Sequence, residues 1–189
     1  RPSAFIYLLA IIGCSNSNNS QDNLQPAQTT TNSYKPVKYI ELTHPFWSRN
    51  ATIYEVNIRQ YTPEGTFKAF EAHLSRLKEM GIDIIWLMPV HPIGEKNRKG
   101  TLGSYYSVKD YYAINPEFGT LEDFKALVER IHSMGMYVII DWVANHSAWD
   151  NTLVTEHPEW YTKTMEGNFQ PTPWYDWEDI IDFDFEQAG

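Results

Sequence analysis

Gly81-Ile82-Asp83-Ile84-Ile85-Trp86-Leu87-Met88-Pro89 is the stretch on which the fold turns. Between its glycine and its proline lies a nearly continuous apolar run. A strand apolar on both faces suits the middle of a parallel sheet, where both faces are covered. Pro89 ends the run, because proline lacks the N–H that a ladder needs. Just upstream, Phe67, Phe70, Leu74 and Leu77 recur at helical spacing. Thr66 stands where an N-cap belongs, and Gly81 stops the helix after Met80. Further upstream, Ile53-Tyr54-Glu55-Val56-Asn57-Ile58 is β-prone.

Downstream, a long loop runs from Pro89 to about Phe118. Thr120 and Asp123 then resemble a capping box, with Asp in place of the longer Glu or Gln. Leu121, Phe124, Leu127, Val128 and Ile131 form a second helical stripe, stopped at Gly135 after Met134. Met136-Tyr137-Val138-Ile139-Ile140 reads as a third buried strand. The order is strand, helix, strand, helix, strand. Right-handed crossovers make such an order an α/β fold with a parallel sheet. The pair Met-Gly precedes a strand twice, at Met80-Gly81 and Met134-Gly135, an echo of repeated βα units. A (β/α) barrel and a doubly wound open sheet can both begin this way. No glycine-rich phosphate loop follows any strand, which argues against a nucleotide-binding doubly wound sheet.

The 189 residues are 42% hydrophobic, enough for a real core, and carry a net charge of −9. That charge argues against nucleic acid, whose phosphates are bound by clustered Lys and Arg. It suits a neutral substrate. Aromatic residues make up 15%, and the loops hold a disproportionate share of them. Flat rings with polar edges are what sugar faces stack on. Cys14 is the one cysteine, so an intrachain disulfide is ruled out.

The opening segment, residues 1–14, has a basic residue, a short apolar run and a small residue before Cys14. The run is too short to span a membrane and fits the core of an export signal. Gly13-Cys14 resembles the end of a bacterial lipobox, although Ile12 departs from the usual small residue. The expectation is an exported protein, either secreted or a cell-envelope lipoprotein attached to the membrane through lipid on Cys14. With no initiator Met, the N-terminus is expected to be incomplete. Residues 15–50 form a polar linker and lead-in, too poor in apolar groups at first to offset chain entropy.

In open α/β sheets and in barrels, ligands bind at the C-terminal ends of the strands. Here each apolar run meets polar or loop-forming residues at that end: Asn57, Arg59 and Gln60; Pro89 and His91; then Asp141, Asn145 and His146. Strand ends also turn polar merely on meeting solvent. Three doing so together point to a site.

Asp141-Trp142-Val143-Ala144-Asn145-His146 closely resembles the third-strand signature of the α-amylase family, glycoside hydrolase family 13. The stretch Gly81 to Pro89 resembles that family's second-strand motif. Tyr105-Tyr106-Ser107-Val108-Lys109-Asp110-Tyr111-Tyr112, followed by Asn115-Pro116-Glu117-Phe118-Gly119-Thr120, resembles its Y-x-x-x-D-Y…P-x-x-G-T segment. The resemblance covers about Ala51 to the C-terminus. It implies that residues 51–146 are the first three strands and two helices of a (β/α)8 TIM barrel. Residues 147–182, rich in Trp, Tyr and Pro, resemble the start of the domain B insertion that walls the cleft. Residues 183–189 would begin the third barrel helix.

The resemblance also assigns roles. Tyr106 matches the tyrosine that stacks on the sugar in the cleavage subsite, where a phenol face suits an apolar C–H face. His146 matches the histidine that hydrogen-bonds the same sugar. Asn145 matches a position whose carbonyl oxygen binds a structural calcium in some members. Asp141 matches a residue that organises the site through an arginine, not the nucleophile. Retaining cleavage of an α-glucan such as starch or maltodextrin needs two carboxyl groups about 5–5.5 Å apart. In the family these follow later strands, so none of the carboxylates present here matches a catalytic role. The chain is therefore expected to be the N-terminal part of a glycosidase, inactive by itself. A non-catalytic carbohydrate-binding or transport-accessory protein on the same barrel is the alternative. A metal-dependent hydrolase using His91, Asp141 and His146 is the weaker third reading, since no H-x-H or H-E-x-x-H spacing is present.

Overall fold

The computed structural model describes residues 43–173 and 175–186. Cys14, the segment 1–14 and most of the linker lie outside the described residues. The chain divides into two compact units, of which the smaller, Leu9–Asn50, contributes a short 3-10 helix at Phe46–Asn50. Everything that follows concerns the larger unit from Ala51 onward.

Its centre is a parallel sheet of β1 (Ile53–Val56), β2 (Ile84–Leu87) and β3 (Tyr137–Ile140), in the order β1-β2-β3. Val56 pairs with Leu87 and Leu87 with Ile140, so the three strands end level. Each observed strand is shorter than its apolar run. β1 stops at Val56 because Asn57 and Ile58 turn into a four-residue helix, α1 (Ile58–Tyr61).

The first helical stripe forms α2 (Phe67–Glu71) and α3 (Leu74–Glu79). Thr66 caps α2 by accepting from the Ala69 N–H at 3.2 Å. Between the two helices the backbone stays right-handed, but His73 N–H bonds to the Phe70 carbonyl, a tighter three-residue step. The stripe is thus continuous in direction and broken in hydrogen bonding. The second stripe is a single helix, α4 (Leu121–Ser133), opened by a complete Thr120–Asp123 capping box.

The Met-Gly echo has a structural meaning. Gly81 and Gly135 both stop their helices at positive φ, 83° and 70°. In each case the next residue donates to the carbonyl five residues back: Ile82 to Leu77, and Met136 to Ile131. The same closure feeds the chain into β2 and into β3.

All these helices cover one face of the sheet. Val56, Ile85 and Leu87 pack there against Phe67, Phe70, Leu74, Leu77, Leu127 and Ile131, with Tyr54, Val138 and Ile140 at the margin. Burying each aliphatic side chain contributes about 1.5–3 kcal/mol. On the opposite face the central strand β2 is covered as expected, with Ile84 6% exposed, whereas β3, expected to be buried, is a correction. There Ile53 is 54% exposed and Ile139 is 41% exposed. Among the described residues the sheet is open, and no barrel closes.

After β3 the chain makes a second, smaller sheet. β4 (His146–Ala148) pairs antiparallel with β5 (Ile180–Asp182). This pairing ties together the two ends of the excursion expected at 147–182. The excursion itself carries α5 (Leu153–Glu156) and a 3-10 turn at Pro158–Trp160. Beyond β5, Phe183 bridges to Tyr161, and the described residues up to Glu186 form a turn, not a helix. Among the described residues no helix is long and apolar enough to cross a membrane.

Candidate functional site

The sheet's ladder sets the first group. Asp141 N–H donates to the Leu87 carbonyl at 2.9 Å, carrying the pairing one residue past β3. This places Asp141 at the C-terminal edge of the sheet, half-buried.

The long loop after β2 delivers the second group. It folds back on itself through an Ile93–Val108 bridge, with Gly94 N–H bonded to the Ser107 carbonyl and Lys109 N–H to Pro92, both at 2.8 Å. Tyr106 rides on the returning arm, 37% exposed. Its hydroxyl donates to Asp141 Oδ2 at 2.9 Å. Burial, then the hydrogen bond and charge of Asp141, then the charge of Glu55, push the phenol up to about 12. It is therefore a neutral donor at any ordinary pH.

His146 opens β4 and is buried beneath Tyr106. Its Nε2 lies 3.1 Å from the Tyr106 carbonyl oxygen, and its Nδ1 lies 2.7 Å from Asn145 Nδ2. These partners assign a neutral ring that donates from Nε2 and accepts at Nδ1. Burial lowers its pKa, opposed by the Tyr106 carbonyl and by the charges of Asp182 and Asp179. Both ring nitrogens are engaged within the protein, so a sugar contact from His146 would have to exchange one of these bonds.

Tyr106, Asp141 and His146 are thus brought together. Asn145 is adjacent, but its backbone carbonyl accepts from Phe183 N–H at 3.0 Å as the small sheet extends. Calcium takes six to eight oxygen ligands. Among the described residues no three His, Cys, Asp or Glu side chains gather as a metal site. The Asn145 carbonyl oxygen keeps a second lone pair, and the backbone and amide oxygens that calcium also takes lie outside that grouping. The same geometry fails to gather His91, Asp141 and His146 as metal ligands.

His91 instead bonds through Nδ1 to the Ala113 carbonyl at 3.0 Å and sets its ring edge-on to Tyr111. Tyr111 is the more informative neighbour. Its hydroxyl lies 2.9 Å from the Val143 carbonyl oxygen and 2.7 Å from that of His146, and donates to this pair. It pins the segment carrying Asn145 and His146. Arg59 works from the other side, reaching the carbonyls of Leu102 and Gly103 at 3.3 and 3.4 Å and stacking over Tyr105 at 4.4 Å. Of the other strand-end residues, Gln60 is exposed, Pro89 is buried, and the side-chain oxygen of Asn57 is buried without a hydrogen-bond partner.

Two features escaped the strand-end reading. The Trp177 ring lies 6.0 Å from that of His146, and Ser107 Oγ donates to the Asp179 carbonyl at 2.9 Å. The aromatic density of residues 171–177 was a signal for the first. Nothing in the sequence marked the second.

A parallel sheet whose C-terminal edge collects a phenol, a carboxylate and a buried imidazole is the layout of an α/β protein that binds a polar ligand at its strand ends. Comparison with known proteins makes the assignment specific. The family model described as the alpha amylase catalytic domain matches residues 15–182. An alpha-1,4-glucan:maltose-1-phosphate maltosyltransferase of Rhodospirillum rubrum is 36% identical over 155 residues, 71% of this chain and 22% of the relative. A trehalose synthase of Thermus thermophilus is 34% identical over 142 residues, 71% of this chain and 13% of the relative. The crystal structure of an alpha-amylase from Lactobacillus plantarum superposes with a TM-score of 0.71 at 50% identity, over 74% of this chain and 33% of that one. The chain belongs to the alpha-amylase family, glycoside hydrolase family 13. It spans 13–22% of the length of these two curated relatives.

Proposed function

We propose that the protein is a retaining glycoside hydrolase acting on α-glucans, and that the described residues form one wall of its sugar site. The observation that carries this is the Tyr106–Asp141 hydrogen bond at the sheet's C-terminal edge, with His146 seated under Tyr106. The exposed part of the phenol offers an apolar face to a glucose ring. The carboxylate of Asp141 orients that phenol and keeps an acceptor at the site. The neutral imidazole adds no charge, which suits an uncharged ligand.

Cleavage with retention requires a carboxylate nucleophile and a carboxylic acid/base about 5–5.5 Å apart. No described carboxylate is assigned to either role; these residues bind and orient. The sequential strand order and the one-sided helices support a closed (β/α)8 barrel, because a doubly wound sheet places helices on both faces. Closure would cover the face that carries Ile53 and Ile139.

A transfer reaction is the second reading, favoured by relatives named as a maltosyltransferase and a synthase. Incubating the complete protein with maltohexaose separates the readings. Hydrolysis raises the number of reducing ends, whereas transfer redistributes chain lengths without raising it. A non-catalytic binding protein would do neither while still retaining the sugar. Export and lipid attachment at Cys14 belong to the same proposal. They are tested by mass spectrometry of the mature N-terminus.

A further inference from the structure

We propose that Tyr175 and Trp177 form an aromatic platform that receives a second glucosyl residue of the α-glucan held at Tyr106. The inference rests on the α-glucan reading above and extends it to a specificity-determining subsite.

The two rings are stacked, with centroids 4.4 Å apart and planes 17° from parallel. They are nevertheless 61% and 41% exposed, a large apolar area left facing water. Trp177 leans on His146 at 6.0 Å, so the rings step outward from the buried imidazole of the site. Each ring of such a pair has one face covered by its partner and presents the other outward, and a free aromatic face fits the C–H face of a pyranose ring.

The platform is held in place, not free to drift. Ser107 Oγ donates to the Asp179 carbonyl at 2.9 Å, and Trp149 Nε1 donates to the Glu178 carbonyl at 2.8 Å. Lys99 Nζ lies 3.9 Å from Asp176 and 4.0 Å from Asp179. Ser107 directly follows Tyr106, so one short scaffold fixes both the site tyrosine and the platform. Holding the rings beforehand lowers the entropy lost on binding. The exposed carboxylates of Asp176 and Glu178 flank the rings. They disfavour an anionic ligand and offer acceptors to hydroxyl groups, which fits a neutral, hydroxylated chain.

The test is calorimetric titration of the complete protein with sulfur-linked analogues of maltose, maltotriose, maltotetraose and maltohexaose, which the proposed reaction does not consume. Affinity is expected to rise with chain length in the unaltered protein. Tyr175→Ala should remove roughly three- to tenfold of affinity for the longer ligands and leave the shortest unchanged. Tyr175→Phe should keep the length dependence. Tyr106→Ala should weaken every ligand. Because Tyr175 is mostly exposed, far-UV circular dichroism and thermal unfolding of its variants should match the unaltered protein. If Tyr175→Ala titrates like the unaltered protein at every length while Tyr106→Ala weakens all of them, the platform is refuted and the sugar site stands. If no oligosaccharide binds, or binding ignores Tyr106 as well, both readings fall.

Discussion

The phenol of Tyr106 donates to Asp141 Oδ2 at 2.9 Å, joining a loop that follows β2 to the first residue after β3. Those residues are 35 positions apart in the chain. The bond fixes the direction of the phenol and aims its exposed part at the space above the strand ends.

Removing only the hydroxyl should therefore cost orientation more than stability. Tyr106→Phe is expected to lower stability by about 1 kcal/mol or less, because the pair is partly exposed to solvent. Oligosaccharide affinity should fall severalfold. Tyr106→Ala, which also deletes the ring, should reduce affinity by about tenfold or more. Calorimetric titration against a sulfur-linked maltotriose analogue, beside thermal unfolding, separates the two effects.

Acid should loosen the site. His146 and His91 both have pKa values lowered from 6.5, chiefly by burial. The unfolded chain then binds more protons than the native one between the lowered values and 6.5, so stability rises with pH through that window. It should be full above about 6.5 and decline as pH falls toward the lowered values. Urea titrations from pH 5 to 8 should show this slope, and it should flatten in His146→Gln. An unchanged slope in that variant would place the acid sensitivity elsewhere.

Tyr111 is expected to matter for stability and for the placing of His146. Its hydroxyl satisfies the carbonyls of Val143 and His146 at 2.9 and 2.7 Å. Tyr111→Phe should cost about 1–3 kcal/mol, the usual penalty for stranding buried polar groups. That corresponds to a Tm lower by about 2–4 °C per kcal/mol for a domain of this size. Affinity for maltotriose should fall too, as the His146 segment loses its pin.

At Gly94 the loop that carries Tyr106 passes close against β4. A Cβ added there would sit 2.4 Å from the Cβ of Ala148 and 2.9 Å from an Asp150 carboxylate oxygen. Gly94→Ala should destabilise by about 1–3 kcal/mol through overpacking. Differential scanning calorimetry reads the loss directly. A neutral result would mean that the loop and β4 separate freely.

The open sheet face carries a prediction of its own. Among the described residues Ile53 and Ile139 stand exposed on a parallel sheet whose outer strands β1 and β3 each have one unpaired edge. Such surfaces recruit other chains. The isolated polypeptide should aggregate or bind a hydrophobic dye, and should release no reducing ends from starch. Soluble, dye-negative behaviour would show that the face is covered from within.

Sequence alone determined what local periodicity encodes. The three apolar runs marked the strands, the caps at Thr66 and Thr120 marked the helix starts, and Gly81 and Gly135 marked their ends. These signals are legible because each lies within one or two turns of chain. The ordered motifs also carried the family, and with it Tyr106, Asp141 and His146. Only the tertiary structure decided which of those side chains touch. It placed Tyr106 on Asp141, closed both nitrogens of His146, gave Asn145's carbonyl to Phe183, and zipped β4 to β5 across residues 147–182. It also put α2, α3 and α4 on one face of the sheet. Such contacts join residues far apart in the chain, and their geometry depends on the path of the loops between them, which no short-range pattern records.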